Sequence, residues 1–312
     1  MRKDDELIVV DDGSTDETRD VLGRYGAELT VIPGERGGAG AARNRGVRVA
    51  RGDLVAFLDS DDEWFPHKTT LQRRLFEARP DVLYSFGEMA CSFRDGSTAR
   101  RQLWTWHRDP RPWIDILPGS PFSSIAVLPS DAPNFNVHIG DLFPDMAHRL
   151  YVLTSSYMVR RLEAGQSLRF QEDVPIYEDW ACFGRVARLG LGAFMDLELA
   201  WQHGQSTERL SDANDLDRCR VHAALLDEIW LTNRDYMDAH GAEYSRLLES
   251  VNRRLARNQI AEGQTSEARA TLARMREPPN TYQLLATLPP SVLNGVLAAR
   301  RYVKRHLSGG ND

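Results

Sequence analysis

Leu7-Ile8-Val9-Val10-Asp11-Asp12-Gly13-Ser14-Thr15-Asp16-Glu17 is the stretch on which the fold turns. A short apolar run rich in β-branched residues describes a buried strand, and Asp-Asp-Gly ends it in a turn. Ser14 with Glu17 three positions on fits a capping box, which predicts a helix from about Thr15 towards Tyr25. Leu29 to Ile32 then reads as a second strand. Beyond it a glycine-rich loop, Gly34 to Gly40, leads into a helix over Ala41 to Ala50. The next strand, Leu54 to Leu58, ends in Asp59-Ser60-Asp61-Asp62. A helix from His67 to Glu77 and a strand from Val82 to Phe86 repeat the alternation. Strand, helix, strand in this order predicts an α/β fold, a mostly parallel sheet with helices on both faces. Ligands of such sheets bind beyond the carboxyl ends of strands, where both acidic clusters fall.

Bulk composition narrows the function classes. The chain has 312 residues, 42% hydrophobic and 27% charged, enough for one large domain and an appendage. A formal net charge of -6 provides no global positive field for nucleic acid. Cys91, Cys182 and Cys219 are odd in number and far apart, which argues against a disulfide framework or a zinc cluster. No apolar run reaches the roughly 18 residues of a membrane span. Asp11 and Asp12 also interrupt any signal-peptide core, so a cytoplasmic location is expected.

Further along, Trp104 to Pro144 shows neither strand nor helix period and reads as an irregular insertion. Regularity returns with a strand over Tyr151 to Val159, a helix over Glu178 to Leu189 and a strand over Phe194 to Trp201. From Asp215 the pattern is helical: Leu216 to His240, Glu243 to Glu262, Ser266 to Arg276 and Ser291 to Leu307. The expected organisation is an α/β domain over residues 1–210 and a helical region over 211–312. The spacing around Ala256 to Ala273 fits one tetratricopeptide-like hairpin, but with no second copy a plain helical cap is expected. The last helix carries Arg300, Arg301, Lys304 and Arg305, so peripheral contact with the inner face of a membrane stands beside an ordinary solvated basic face.

Sugar transfer from a nucleotide needs a cation to neutralise the departing diphosphate, and hard oxygen ligands suit that cation. Asp59 and Asp61, just past a strand end, can turn one carboxylate to a metal and the other to the ribose or a metal-bound water. Three segments in one order, Val10 to Asp16, Gly40-Ala41-Ala42-Arg43-Asn44-Arg45-Gly46 and Phe57 to Asp62, resemble the family-2 glycosyltransferases. The resemblance implies the GT-A fold, with a nucleotide-sugar half over about 1–100 and an acceptor half over about 101–210. It implies inversion at the anomeric carbon and a nucleoside-diphosphate sugar donor, UDP-linked by preference. The acceptor would be a saccharide, a lipid-linked oligosaccharide or a protein. Asp12 or its neighbour Asp11 would hydrogen-bond the base and Arg43 would flank it. Asp61 would ligate Mn²⁺ or Mg²⁺, with Asp59 beside it and also against the nucleotide.

Tyr177-Glu178-Asp179-Trp180 resembles the family's Glu-Asp motif at a helix start. Inversion requires a carboxylate to accept the acceptor hydroxyl's proton, and Asp179 is the residue assigned to it. The helix N-terminus is expected to keep it ionised. Leu153 to Arg161 also matches a family pattern, with no chemistry assigned. Trp201-Gln202-His203 stands where the family has a diphosphate-facing stretch. His203 is therefore either a phosphate or metal contact or an ordinary polar histidine. Trp104, Trp106 and Trp113 are candidates for stacking on acceptor sugars or for packing the insertion.

The sequence departs from the family ahead of Asp11, where a first strand and helix are usual. An internal strand left out would leave its neighbours with unpaired backbone groups. The expectation is a reading frame that starts downstream of the true start, or a degenerate relative that binds nucleotide sugar or a partner without turnover. A sugar-nucleotide nucleotidylyltransferase is disfavoured, because Gly37 to Gly40 matches no phosphate-loop spacing.

Overall fold

A computed structural model describes residues 4–107, 109–174, 176–203, 214–289, 291–296 and 298. Residues 1–209 form one compact unit and residues 210–312 another. In the first, the strands are β1 (Ile8–Asp11), β2 (Thr30–Pro33), β3 (Leu54–Ala56), β4 (Asp62–Trp64) and β5 (Val82–Ser92). They are followed by β6 (Thr98–Ala99), β7 (Gly119–Pro121), β8 (Asn136–Gly140), β9 (Met158–Arg160) and β10 (Leu191–His203). β1 and β2 make a parallel pair across the helix Thr18–Gly23. The large sheet runs β3-β9-β5-β10-β8-β7, with β4 on β10 and β6 on β5.

This is an α/β fold, but the sheet is mixed where a mostly parallel one was expected. Among the described residues β1–β2 and β5–β10 pair in parallel, and the other ladders are antiparallel. The strand-helix alternation that predicts parallel pairing stops at β5. β7, β8 and β9 come from the chain that follows and need no helical crossover to pair.

Several element boundaries move for local reasons. Ser14 and Glu17 form no capping box: Asp11 Oδ1 takes the Ser14 N–H at 2.8 Å, and Glu17 makes no side-chain cap. β5 continues past Gly87 to Ser92, buried along nearly its whole length. A Cβ on Gly87 would lie 2.6 Å from Leu199 Cγ, so that glycine admits β10 and does not end the strand. The expected strand over Tyr151 to Val159 is instead a 3₁₀ turn, Thr154–Ser156, followed by β9.

The described residues of the insertion form regular elements. They include β7, β8 and the short helices Gln102–His107, Trp113–Ile116 and Phe143–Met146. Elements this short show no period in sequence. Trp113 is buried and stacks on Phe194 with ring centroids 3.8 Å apart, which makes it a core residue. Trp104 is half-buried and Trp106 is exposed. Leu71, Leu75, Val82, Phe122, Val137, Met158, Met195 and Leu199 form the core beneath. All three cysteines are buried free thiols.

The second unit is helical, with Asp215–Leu225, a π-helical turn Leu226–Trp230, Arg234–Ala261, Thr265–Ala273 and Asn280–Thr287. Its first break falls at Leu231–Asn233, where Asn233 accepts the Tyr236 N–H and caps the next helix. Sequence periodicity placed that break near Gly241, which instead lies inside the helix. Ala256, Ile260, Ala268, Leu272, Met275, Ala286 and Leu293 pack together in this unit. The basic residues Arg300 to Arg305 lie outside the described residues. No described helix is long and apolar enough to cross a membrane.

Candidate active site

The acidic segment after β3 forms a tight turn in which the Asp62 N–H donates to the Asp59 carbonyl at 3.0 Å. β4 then pairs antiparallel with β10, setting Gln202 opposite Asp62 and Trp201 opposite Glu63. That register brings His203 to the acidic turn, with its Nε2 3.3 Å from Glu63 Oε1. Asp62 is buried, and burial pushes its carboxyl up to about 6, with Asp59 and Asp61 adding to the rise. Hydrogen bonds from Ser155 and from the His203 backbone oppose that shift. Asp61, between Asp59 and Asp62 in sequence, is exposed.

Arg43, on the helix Gly38–Val49, ties this turn to the second acidic motif. Its Nη2 lies 2.6 Å from Asp59 Oδ1 and its Nη1 2.7 Å from Glu178 Oε1. The guanidinium also sits 5.2 Å from the centre of the Phe170 ring. Asn44, next along the helix, clamps the facing segment: its Nδ2 donates to the Phe170 carbonyl and its Oδ1 takes the Phe170 N–H, both at 2.8 Å. Gly40 permits this approach, since a Cβ there would lie 2.6 Å from the Gln171 carbonyl oxygen. Sequence reasoning did not single out Asn44, although it stands inside the Ala-Arg-Asn motif.

Glu178 and Asp179 open the helix Glu178–Ala187. The preceding Tyr177 takes a left-handed backbone with φ 67°, unusual for an aromatic residue and a frequent mark of a functional segment. Asp179 is half-buried; its Oδ1 accepts the Trp180 N–H at 2.7 Å and its Oδ2 faces the Thr154 hydroxyl at 3.4 Å. Its carboxyl is pushed up to about 7, by burial first and then by Glu178, against the pull of Arg43. The helix N-terminus therefore does not hold Asp179 in the ordinary carboxylate range, as the sequence suggested, because burial outweighs it.

Asp11 and Asp12 have defined partners. Asp12 accepts the Gly37 and Gly38 N–H groups at 3.0 and 2.7 Å and pairs with Arg45 at 2.8 Å, closing the start of the helix Gly38–Val49. Asp11 is buried, with hydrogen bonds from Ser14 and then Arg19 holding its carboxyl down to about 2. Asp59, Asp61, Asp62, His203, Arg43, Glu178 and Asp179 thus belong to one rim, while Asp11 and Asp12 brace the turn that supports it.

Among the described residues no three acidic, histidine or cysteine side chains converge as a complete metal cage. The donor set still fits a hard cation, because Asp59 and Asp61 are carboxylates on one short turn. Mg²⁺-type sites commonly take one or two protein carboxylates and fill the remainder with phosphate oxygens and water.

The comparisons with known proteins agree with this geometry. The family model described as Glycosyl transferase family 2 matches residues 1–122. The matched segment includes both acidic turns and Arg43, and it ends before Thr154 and Asp179. The putative teichuronic acid biosynthesis glycosyltransferase TuaG of Bacillus subtilis is 40% identical over 97 residues, 30% of this chain and 38% of the relative. The poly(ribitol-phosphate) beta-glucosyltransferase of Bacillus spizizenii is 42% identical over 66 residues, 20% of this chain and 10% of the relative. The chain thus spans less than two fifths of either relative's length. The crystal structure of S. aureus TarS 1-349 in complex with UDP-GlcNAc superposes with a TM-score of 0.53 at 16% identity, covering 90% of this chain and 74% of that one. That likeness establishes the GT-A fold.

Proposed function

We propose that the protein is a metal-dependent inverting glycosyltransferase that moves a sugar from a UDP-sugar to an acceptor hydroxyl. The observation that carries it is the bridge through Arg43, which joins the acidic turn at Asp59 to the Glu178–Asp179 helix start. In this reading residues 1–100 form the nucleotide-sugar half and residues 101–210 the acceptor half, and Asp11, Asp12 and Arg43 lie on the base side. Asp61, with Asp59 beside it, would hold Mn²⁺ or Mg²⁺, which supplies positive charge to the diphosphate leaving group. His203, held beside the acidic turn by β10, would add a polar contact to the diphosphate. Asp179 accepts the proton of the acceptor hydroxyl as that oxygen attacks the face opposite the leaving group. Arg43 keeps the adjoining carboxylates paired, so their repulsion does not spread the rim. TarS, crystallised with UDP-GlcNAc, supports a uridine donor. The names of TuaG and the poly(ribitol-phosphate) enzyme support a cell-surface polymer as acceptor, made at the inner face of the membrane.

A donor-hydrolysis screen across nucleotide sugars, with Mn²⁺ and with EDTA, tests the proposal. Release of UDP from a UDP-sugar in Mn²⁺ that stops in EDTA is expected. Binding of UDP and Mn²⁺ with no release from any donor would instead identify a binding protein without turnover.

A further inference from the structure

We infer that Ser155 is the positioning residue that sets the acidic turn for its cation, an inference that rests on the metal-assisted function just proposed. Ser155 is fully buried and holds the segment 59–64 at three points. Its hydroxyl oxygen accepts the Asp59 N–H at 3.1 Å and its O–H donates to Asp62 Oδ2 at 2.5 Å. Its carbonyl accepts the Trp64 Nε1–H at 2.7 Å. An ionised carboxylate only accepts hydrogen bonds, so the hydroxyl must give its proton to Asp62 and its lone pair to Asp59. Asp61 lies between these two anchors. Its side chain is exposed, yet one hydroxyl holds the backbone of Asp59 before it and the side chain of Asp62 after it.

The frame behind Ser155 is rigid. Ser156 is also fully buried; its hydroxyl donates to the Leu153 carbonyl at 2.9 Å, and its own carbonyl accepts the Gln72 Nε2–H at 2.9 Å. The Gly87 N–H of β5 points at the Ser156 hydroxyl from 3.4 Å. On the other side, Thr154 faces Asp179. A single 3₁₀ turn thus refers the metal-side carboxylates and the proposed base to the same strand. Groups that orient metal ligands from behind typically change metal affinity by about 10- to 100-fold when removed, whereas purely structural contacts change stability alone.

The test is direct Mn²⁺ binding to the full chain in the presence of UDP, read from the electron paramagnetic resonance of free Mn²⁺, alongside melting curves. Ser155→Ala is expected to weaken Mn²⁺ binding about tenfold. Ser156→Ala, equally buried in the same turn, is expected to lower the melting temperature and leave Mn²⁺ affinity at the wild-type value. Trp64→Phe removes the donor to the Ser155 carbonyl while keeping an aromatic ring beneath Lys68, and is expected to weaken Mn²⁺ binding severalfold; it decides the matter if Ser155→Ala does not fold. Wild-type affinity in Trp64→Phe and in any folded Ser155→Ala overturns the inference alone, as does an equal loss in Ser156→Ala. No uptake of Mn²⁺ by the wild type overturns the proposed function, and the role of Ser155 with it.

Discussion

Arg43 and Asp179 set the electrostatics of the rim between them. Arg43 is mostly buried and paired with two carboxylates, so its positive charge is firmly retained. Asp179 feels that charge, but burial and Glu178 raise its carboxyl to about 7. A general base works only when ionised, and a raised value means protonation below it. Therefore kcat/KM should rise as pH increases through about 7 and level off above it. A pH–rate profile of the metal-loaded enzyme checks this, and a flat profile across that range would remove Asp179 from the role.

At the scale of elements, the helix Arg234–Ala261 runs unbroken through Gly241. A Cβ there would meet only Met237 Cε at 3.7 Å, an ordinary contact. Gly241→Ala should stabilise the protein by about 0.5–1 kcal/mol, because alanine loses less backbone freedom in a helix interior. Urea unfolding measures it, and destabilisation would restore the break near Gly241 that the sequence suggested. The expected elements stop just short of Gly241 and of Gly87, and Gly34 to Gly40 reads as a loop. At Gly87 and Gly40 the actual service of the glycine is close approach between elements, which depends on partners distant in sequence. β1 was legible as a short apolar run ending in a turn, and the helices Gly38–Val49, Lys68–Ala78 and the one at Glu178 from their longer patterns. The 3₁₀ turn Thr154–Ser156 was not, since three small polar residues carry no period and their partners Asp59, Asp62 and Gln72 lie more than eighty residues away. The acidic turns were visible because their residue types are chemically specific. That Asp12 closes a helix start while Arg43 bridges two carboxylates needed coordinates.

For the molecule as a whole, the rim is built at some expense of stability. Asp62 at about 6, and Glu88 and Asp179 at about 7, all titrate higher in the folded state than in an unfolded chain. Between about pH 4 and 7 the native state then binds protons that the unfolded state has released, so stability falls as pH rises through that window. Asp11, held at about 2, is ionised in both states above about pH 5 and does not contribute to the slope there. The melting temperature of the metal-free protein should drop by a few degrees from about pH 5 to about pH 7.5. Glu88→Gln, outside the rim, should flatten part of that slope; an opposite slope would mean that these carboxylates are not buried as described. The central claim is that Asp61 grips the cation while Asp179 serves only the acceptor. Calorimetric titration of UDP with Mn²⁺ into Asp61→Ala and Asp179→Asn tests it most directly. Metal-dependent binding should vanish in Asp61→Ala and persist at wild-type strength in Asp179→Asn, whereas undiminished binding by Asp61→Ala would contradict the account.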